Sequence, residues 1–186
     1  MISTKDIVVD VGKKLDERIE KANIYITVFL LGPGDSSTSP GKELREYIRK
    51  KCDKLGIAVK GEHKDIIEEF NRKTKDLLNL CVMEKFIAQE IADVIVIIPD
   101  SPGSLAELGM FVFSKKRIYN KTLLLFSKEY DSDDESFIND GIRSHYELKK
   151  VSIAEVDYSK KLKTWRIVEE FIRPFKAEKI EKAVIG

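Results

Sequence analysis

Five short apolar runs, rich in β-branched residues, punctuate the chain at Ile24–Leu31, Gly56–Gly61, Ile91–Ile98, Lys121–Phe126 and Val151–Val156. Runs this short and this continuous predict strands buried on both faces, as in a parallel sheet. Between them the period changes. Ile7, Val8, Val11, Leu15 and Ile19 fall close to one helical stripe and predict an N-terminal helix within residues 1–22. Leu44, Ile48 and Cys52 predict a helix over Lys42–Lys54, and a long helical region runs from Asp65 to Glu90 with a break near Leu77–Cys81. Trp165, Ile167, Val168, Phe171 and Ile172 mark a closing helix over Leu162–Phe175, followed by a charged tail at 176–186 that either frays or meets a partner. Strands alternating with helices predict an α/β fold: one doubly wound, flavodoxin- or Rossmann-like domain over residues 1–186. Its central sheet is mainly parallel, of about five strands, with helices on both faces. The N-terminal helix has two outlets, the domain's own sheet or a homo-oligomer interface.

The central strand leads into Pro99-Asp100-Ser101-Pro102-Gly103, dense turn chemistry, after which Ser104-Leu105-Ala106-Glu107 fits the capping box that opens a helix. The first strand ends similarly, at Gly32-Pro33-Gly34. In open α/β sheets ligands bind at the carboxyl ends of strands, so both loops belong to one expected pocket. Two phosphate motifs are excluded. A Walker loop would need glycine where Ser36 stands and Ser or Thr where Glu43 stands, and a dinucleotide turn would need glycine in place of Ser37.

Composition adds limits. The 186 residues suffice for one domain burying about 70% of its unfolded surface. With 33 basic and 32 acidic side chains, no strong overall field demands nucleic acid. The longest apolar run is far too short to cross a membrane and no signal-peptide core follows Met1, so a cytoplasmic, membrane-free protein is expected. Cys52, Cys81 and two histidines build neither a zinc site nor a disulfide framework, and no metal or cofactor is expected. His63 beside Glu62, and His145 beside Ser144, lack the partners of a catalytic triad. Residues 128–135 form an acidic, turn-rich segment without the glycine and terminal glutamate of a calcium loop, which reads as a lid-like loop anchored by Phe137, Ile138 and Ile142.

Ser101-Pro102-Gly103-Ser104-Leu105-Ala106-Glu107-Leu108-Gly109 after a buried strand, together with Val28-Phe29-Leu30-Leu31-Gly32-Pro33-Gly34, resembles the nucleoside 2-deoxyribosyltransferase-like group. Within that group the similarity is greatest to retron-associated effectors. A looser similarity extends to the phosphoribohydrolases that free cytokinins, and the resemblance covers residues 24–126. It implies cleavage or transfer at an N-glycosidic bond, with Glu107 as the nucleophile on the anomeric carbon and Asp100 orienting the base or assisting its protonation. It also implies a nucleoside or nucleotide as ligand, and a defence-system protein or nucleoprotein as partner.

The chemistry is consistent with those residue types. A developing oxocarbenium ion is stabilised or captured by a nearby carboxylate, and a departing base needs a proton. Gly32, Pro33, Gly34, Ser101, Gly103 and Ser104 are candidate contacts to phosphate or sugar, and Glu84, on the helix before the central strand, is a candidate for ribose hydroxyls. Each has a structural alternative. Glu107 fits a capping box, Asp100 a turn, and Glu84 a solvated helix face. The loop is one residue longer than the shorter transferase pattern, which bears on Asp100. A non-catalytic nucleotide sensor using the same pocket is the competing function.

Overall fold

The computed structural model describes residues 9–14, 17–18, 24–53, 56–59, 64–74, 80–111, 116–129 and 141–185. Five strands alternate with helices: β1 (Ile26–Leu31), α1 (Pro40–Cys52), β2 (Gly56–Val59), α2 (Lys64–Thr74), α3 (Leu80–Phe86), β3 (Val94–Ile97), α4 (Pro102–Phe111), α5 (Lys116–Tyr119), β4 (Thr122–Ser127), α6 (Ser144–Leu148), β5 (Ser152–Val156) and α7 (Lys161–Ile185). All neighbouring strands pair in parallel, in the order β2-β1-β3-β4-β5. This is the doubly wound arrangement the alternation predicts. Its strand order reverses between β1 and β3, and in doubly wound sheets the carboxyl ends of the strands at such a switch point are where a ligand crevice lies.

Side-chain alternation along each strand divides the core into two layers. Phe29, Leu31, Ile95, Ile97, Leu124 and Phe126 pack toward Met83, Ile87, Leu108, Phe111 and Tyr146 on α3, α4, α6 and the turn after α3. Val28, Leu30, Val94, Val96, Leu123 and Leu125 pack toward Leu44 and Ile48 of α1 and Trp165, Val168 and Ile172 of α7. With β1, β3 and β4 buried throughout, their unbroken apolar character follows.

Several boundaries differ from those the pattern predicts. The helix before β3 passes into a π-helical turn over Ile87–Ile91, closed by Ala92 N–H donating to the Ile87 carbonyl at 2.9 Å, so β3 starts at Val94 rather than Ile91. The 176–186 tail is not a fraying end, because α7 continues through it to Ile185 despite Pro174. Its Lys179 Nζ donates to Asp93 Oδ2 at 2.6 Å and to the Tyr25 carbonyl at 3.0 Å, and Asp93 also accepts the Thr27 N–H at 2.8 Å. The tail is thereby tied to the amino ends of β1 and β3.

Of the N-terminal helix, residues 9–14 and 17–18 are helical, and Arg18 donates to the Val184 carbonyl at 2.6 Å. Val11, expected on its apolar stripe, is 58% exposed. Glu62, His63, the 130–140 part of the acidic segment with Phe137 and Ile138, and most of the expected break near 77–81 lie outside the described residues. No helix among the described residues is long and apolar enough to cross a membrane.

Candidate functional site

The crevice is built from the loop after β1. Gly32 has φ +158°, and a Cβ there would lie 3.2 Å from the Ile98 Cβ and 3.3 Å from the Ile98 carbonyl oxygen. Only glycine lets the strand end this close to β3. Beneath the loop lies Arg45 of α1, 2% exposed, whose guanidinium donates to the Pro33 carbonyl at 2.8 Å and the Leu30 carbonyl at 3.4 Å. Gly32 and Pro33 are buried and Gly34 is half-buried.

Helix α1 begins with Pro40, whose fixed φ suits the first helical position. Its N-cap residue, Ser39, makes no side-chain capping bond, since the Ser37 and Ser39 hydroxyls meet each other at 3.1 Å. The cap comes instead from the β3 loop: Gly41 N–H donates to Asp100 Oδ2 at 2.6 Å. A Cβ on Gly41 would fall 2.6 Å from the Asp100 Cβ and 2.7 Å from Oδ2, so glycine is what admits the carboxylate.

The β3 loop closes on itself. Ser104 N–H donates to Ser101 Oγ at 3.2 Å, while Ser104 Oγ accepts the N–H groups of Ser101 at 2.9 Å and Asp100 at 3.0 Å and donates to the Ser101 carbonyl at 3.0 Å. This is a reciprocal capping box with Ser101 at the N-cap, Pro102 at the first helical position and serine rather than glutamate as its far member. The expected box, Ser104 to Glu107, is therefore displaced by three residues. Glu107 stands inside α4, partly buried, and is not the partner of Ser104 in the cap. Ser104 is 1% exposed with its hydroxyl committed to the loop, whereas Gly103 is exposed at the first turn of α4.

Glu84 is 5% exposed, not on a solvated face, and lies on α3, which packs beside α4 over one layer of the core. Position along α4 is set from below by Tyr146, whose buried hydroxyl donates to the Leu108 carbonyl at 2.7 Å, next to Glu107. Burial pushes the Tyr146 phenol above its ordinary range, as it does the thiol of Cys52, raised to about 12. The ring of His145 meets those of Tyr119 and Tyr146 edge-on, with centroids 6.4 and 6.0 Å away, which fits a packing role.

Gly32, Pro33, Gly34, Asp100, Ser101, Gly103 and Ser104 thus gather at one sheet edge, and Glu107 and Glu84 sit on neighbouring helices beside it. Sequence reasoning missed Arg45 and Gly41. Arginine next to the apolar Leu44 reads as a helix surface residue, and Gly41 reads as loop. A cavity of about 500 Å³ flanks the start of α1, with Ser37, Thr38 and Lys42 on one wall and Tyr158, Ser159 and Lys161 on the other. Lys161 bridges it to Glu43 at 2.6 Å, and that contact holds the Glu43 carboxyl below its ordinary range.

Two comparisons bear on this site. The family described as STM3845 retron effector protein matches residues 41–184. A curated Escherichia coli protein, "Retron Ec86 putative ribosyltransferase/DNA-binding protein", is 28% identical over 180 residues, covering 88% of this chain and 56% of its own length. The chain therefore spans about half the length of that relative.

Proposed function

The chain belongs to the STM3845 retron effector protein family, and from that premise we propose that it cleaves or transfers at the N-glycosidic bond of a nucleoside, nucleotide or NAD-like molecule. Glycosyl transfer agrees with the ribosyltransferase wording of the Escherichia coli relative. The observation that carries the proposal is the placement of Glu107. It lies five residues after Pro102, about 7–8 Å along α4 from the crevice at the β1/β3 switch point, and stands outside the capping box.

In this reading the sugar lies over the Gly32–Gly34 loop and the first turn of α4. The Glu107 carboxylate attacks the anomeric carbon as the bond to the base breaks. Positive charge on the sugar ring is stabilised, then captured as a glycosyl ester, and water or a second base completes the turnover. The departing base takes its proton from a water molecule hydrogen-bonded to it. Glu84, buried on the adjacent helix, is the candidate for the ribose hydroxyls, and the Gly103 amide for a phosphate or sugar oxygen. Biologically the reaction belongs to a bacterial defence effector, held by a partner protein or nucleoprotein.

One observation favours the alternative, a sensor that binds a nucleotide without turning it over: Asp100 and Ser104, two of the predicted site residues, already bond within the protein. One assay separates the readings. The protein is incubated with nucleosides, nucleotides and NAD, and released free base is measured by chromatography. Base release that Glu107→Gln lowers at least about a thousandfold, with the fold intact, supports the enzyme. Tight binding without base release by wild-type protein refutes it in favour of the sensor.

A further inference from the structure

The loops on the two sides of the crevice are joined by one side chain. Asp100 follows β3, Gly41 opens α1, and the 2.6 Å bond between them spans 59 residues of sequence. Four observations converge on this contact. The ordinary cap of α1, Ser39, makes no capping bond. Gly41 leaves room that a Cβ would fill, at 2.6 Å from the Asp100 Cβ. The Asp100 amide is itself held by Ser104 Oγ at 3.0 Å, which aligns the loop with the first turn of α4. One turn further along α1, Arg45 grips the end of β1 through the Leu30 and Pro33 carbonyls. The β1 loop, α1, the β3 loop and the start of α4 therefore form one connected frame, with Asp100 as its only side-chain link between the Gly41 amide and the β3 loop among the described residues.

We infer that Asp100 is a positioning residue for the proposed glycosidic chemistry rather than its proton donor: it caps α1 across the crevice and so fixes the β1 loop relative to Glu107. This rests on the enzymatic reading above. An oxygen that accepts a backbone N–H at 2.6 Å serves as an acceptor, and the geometry asks of this side chain an oxygen at a particular place rather than a transferable proton. Asparagine supplies the same oxygen. It caps helices as well as aspartate does, yet carries no carboxyl proton.

Asp100→Asn, Asp100→Ala and Gly41→Ala are compared with wild type for base release at several substrate concentrations and pH values. Amide hydrogen exchange over residues 32–42 is followed in parallel at a temperature where all four proteins are folded. Asp100→Asn is expected within about twofold of wild-type kcat with the same pH profile, while Asp100→Ala and Gly41→Ala lose about tenfold or more and exchange faster at the start of α1. Asp100→Asn falling as far as Asp100→Ala, with exchange unchanged from wild type, would overturn the inference by showing that the carboxyl proton matters. Asp100→Ala retaining full turnover while its α1 exchange rises would also overturn it, leaving only a structural cap. Absence of base release from wild-type protein would remove the enzymatic reading and this role together. Loss in Asp100→Asn alongside an active wild type would remove only this role.

Discussion

Ser104→Ala measures how much of the site's shape rests on one buried hydroxyl. The substitution removes four bonds: the Ser101 N–H loses its acceptor at 2.9 Å, the Ser101 carbonyl its donor at 3.0 Å and the Ser101 hydroxyl its partner at 3.0 Å, while the Asp100 N–H loses a 3.0 Å bond but keeps the Ile98 carbonyl at 3.0 Å. Ser104 is 1% exposed, so water replaces the hydroxyl poorly. At about 1 kcal/mol net per bond, partly offset because the outer amides gain some solvent, the loss is about 2–3 kcal/mol. For a chain of this size that lowers the thermal midpoint by about 5–10 °C. Urea unfolding followed by circular dichroism gives the free energy directly. Ser101→Ala, which removes the N-cap acceptor of Ser104 N–H, is expected to cost less, about 1 kcal/mol. A Ser104→Ala change below about 0.5 kcal/mol, with ligand affinity falling instead, would refute this reasoning and return Ser104 to the role of a phosphate contact.

Two further outcomes follow from buried groups. Tyr146→Phe removes the donor to the Leu108 carbonyl, and is expected to cost about 1–2 kcal/mol in urea unfolding and to lower base release, since that carbonyl fixes α4 beside Glu107; unchanged stability would place the hydroxyl outside the frame. Cys52, whose thiol is raised by burial from 9.0 to about 12, keeps its proton in the folded chain over a range where the unfolded chain loses it. Its stabilising contribution is complete below pH 9 and declines as pH rises toward 12, with a slope of up to about 1.4 kcal/mol per pH unit. Urea midpoints between pH 9 and 11 in reducing buffer should therefore fall less steeply in Cys52→Ala than in wild type, and equal slopes would refute the burial argument.

The sheet was legible because its information is local. Ile24–Leu31, Val94–Ile98 and Leu123–Phe126 are apolar on both faces, which only a covered parallel strand explains, and the glycine and proline punctuation after β1 and β3 marks the crevice. Where local patterns compete, the signal is ambiguous. Ser101-x-x-Ser104 and Ser104-x-x-Glu107 both offer a hydroxyl and a partner three residues on, and by residue type alone the glutamate favours the latter pair. Pro102 decides for the former, because a proline is favoured at the first helical position directly after a serine cap. That signal was present in the sequence. Standing outside the cap, Glu107 becomes a better candidate for chemistry than its own motif suggested.

Gly41, Arg45 and the capping contact of Asp100 were illegible for another reason. Each of the three residues resembles an ordinary residue of its own segment, a turn aspartate, a loop glycine and a helix-surface arginine, and their meaning arises from contacts with residues 59, 59 and 12 positions away. Local propensity carries no record of such pairings, and the pairings are what turn two glycine-rich loops into the walls of one crevice. The same long reach accounts for the 176–186 tail: read alone it is a charged end that either frays or meets a partner, but α7 runs on to Ile185 and Lys179 meets Asp93 from 86 residues away. In this fold the strands place the crevice through local pattern, and a few long-range polar contacts determine which side chains become part of its frame. Glu107 stays outside that frame's caps because Ser101 opens α4, and Asp100 is drawn into it because Ser39 leaves the start of α1 without a side-chain cap.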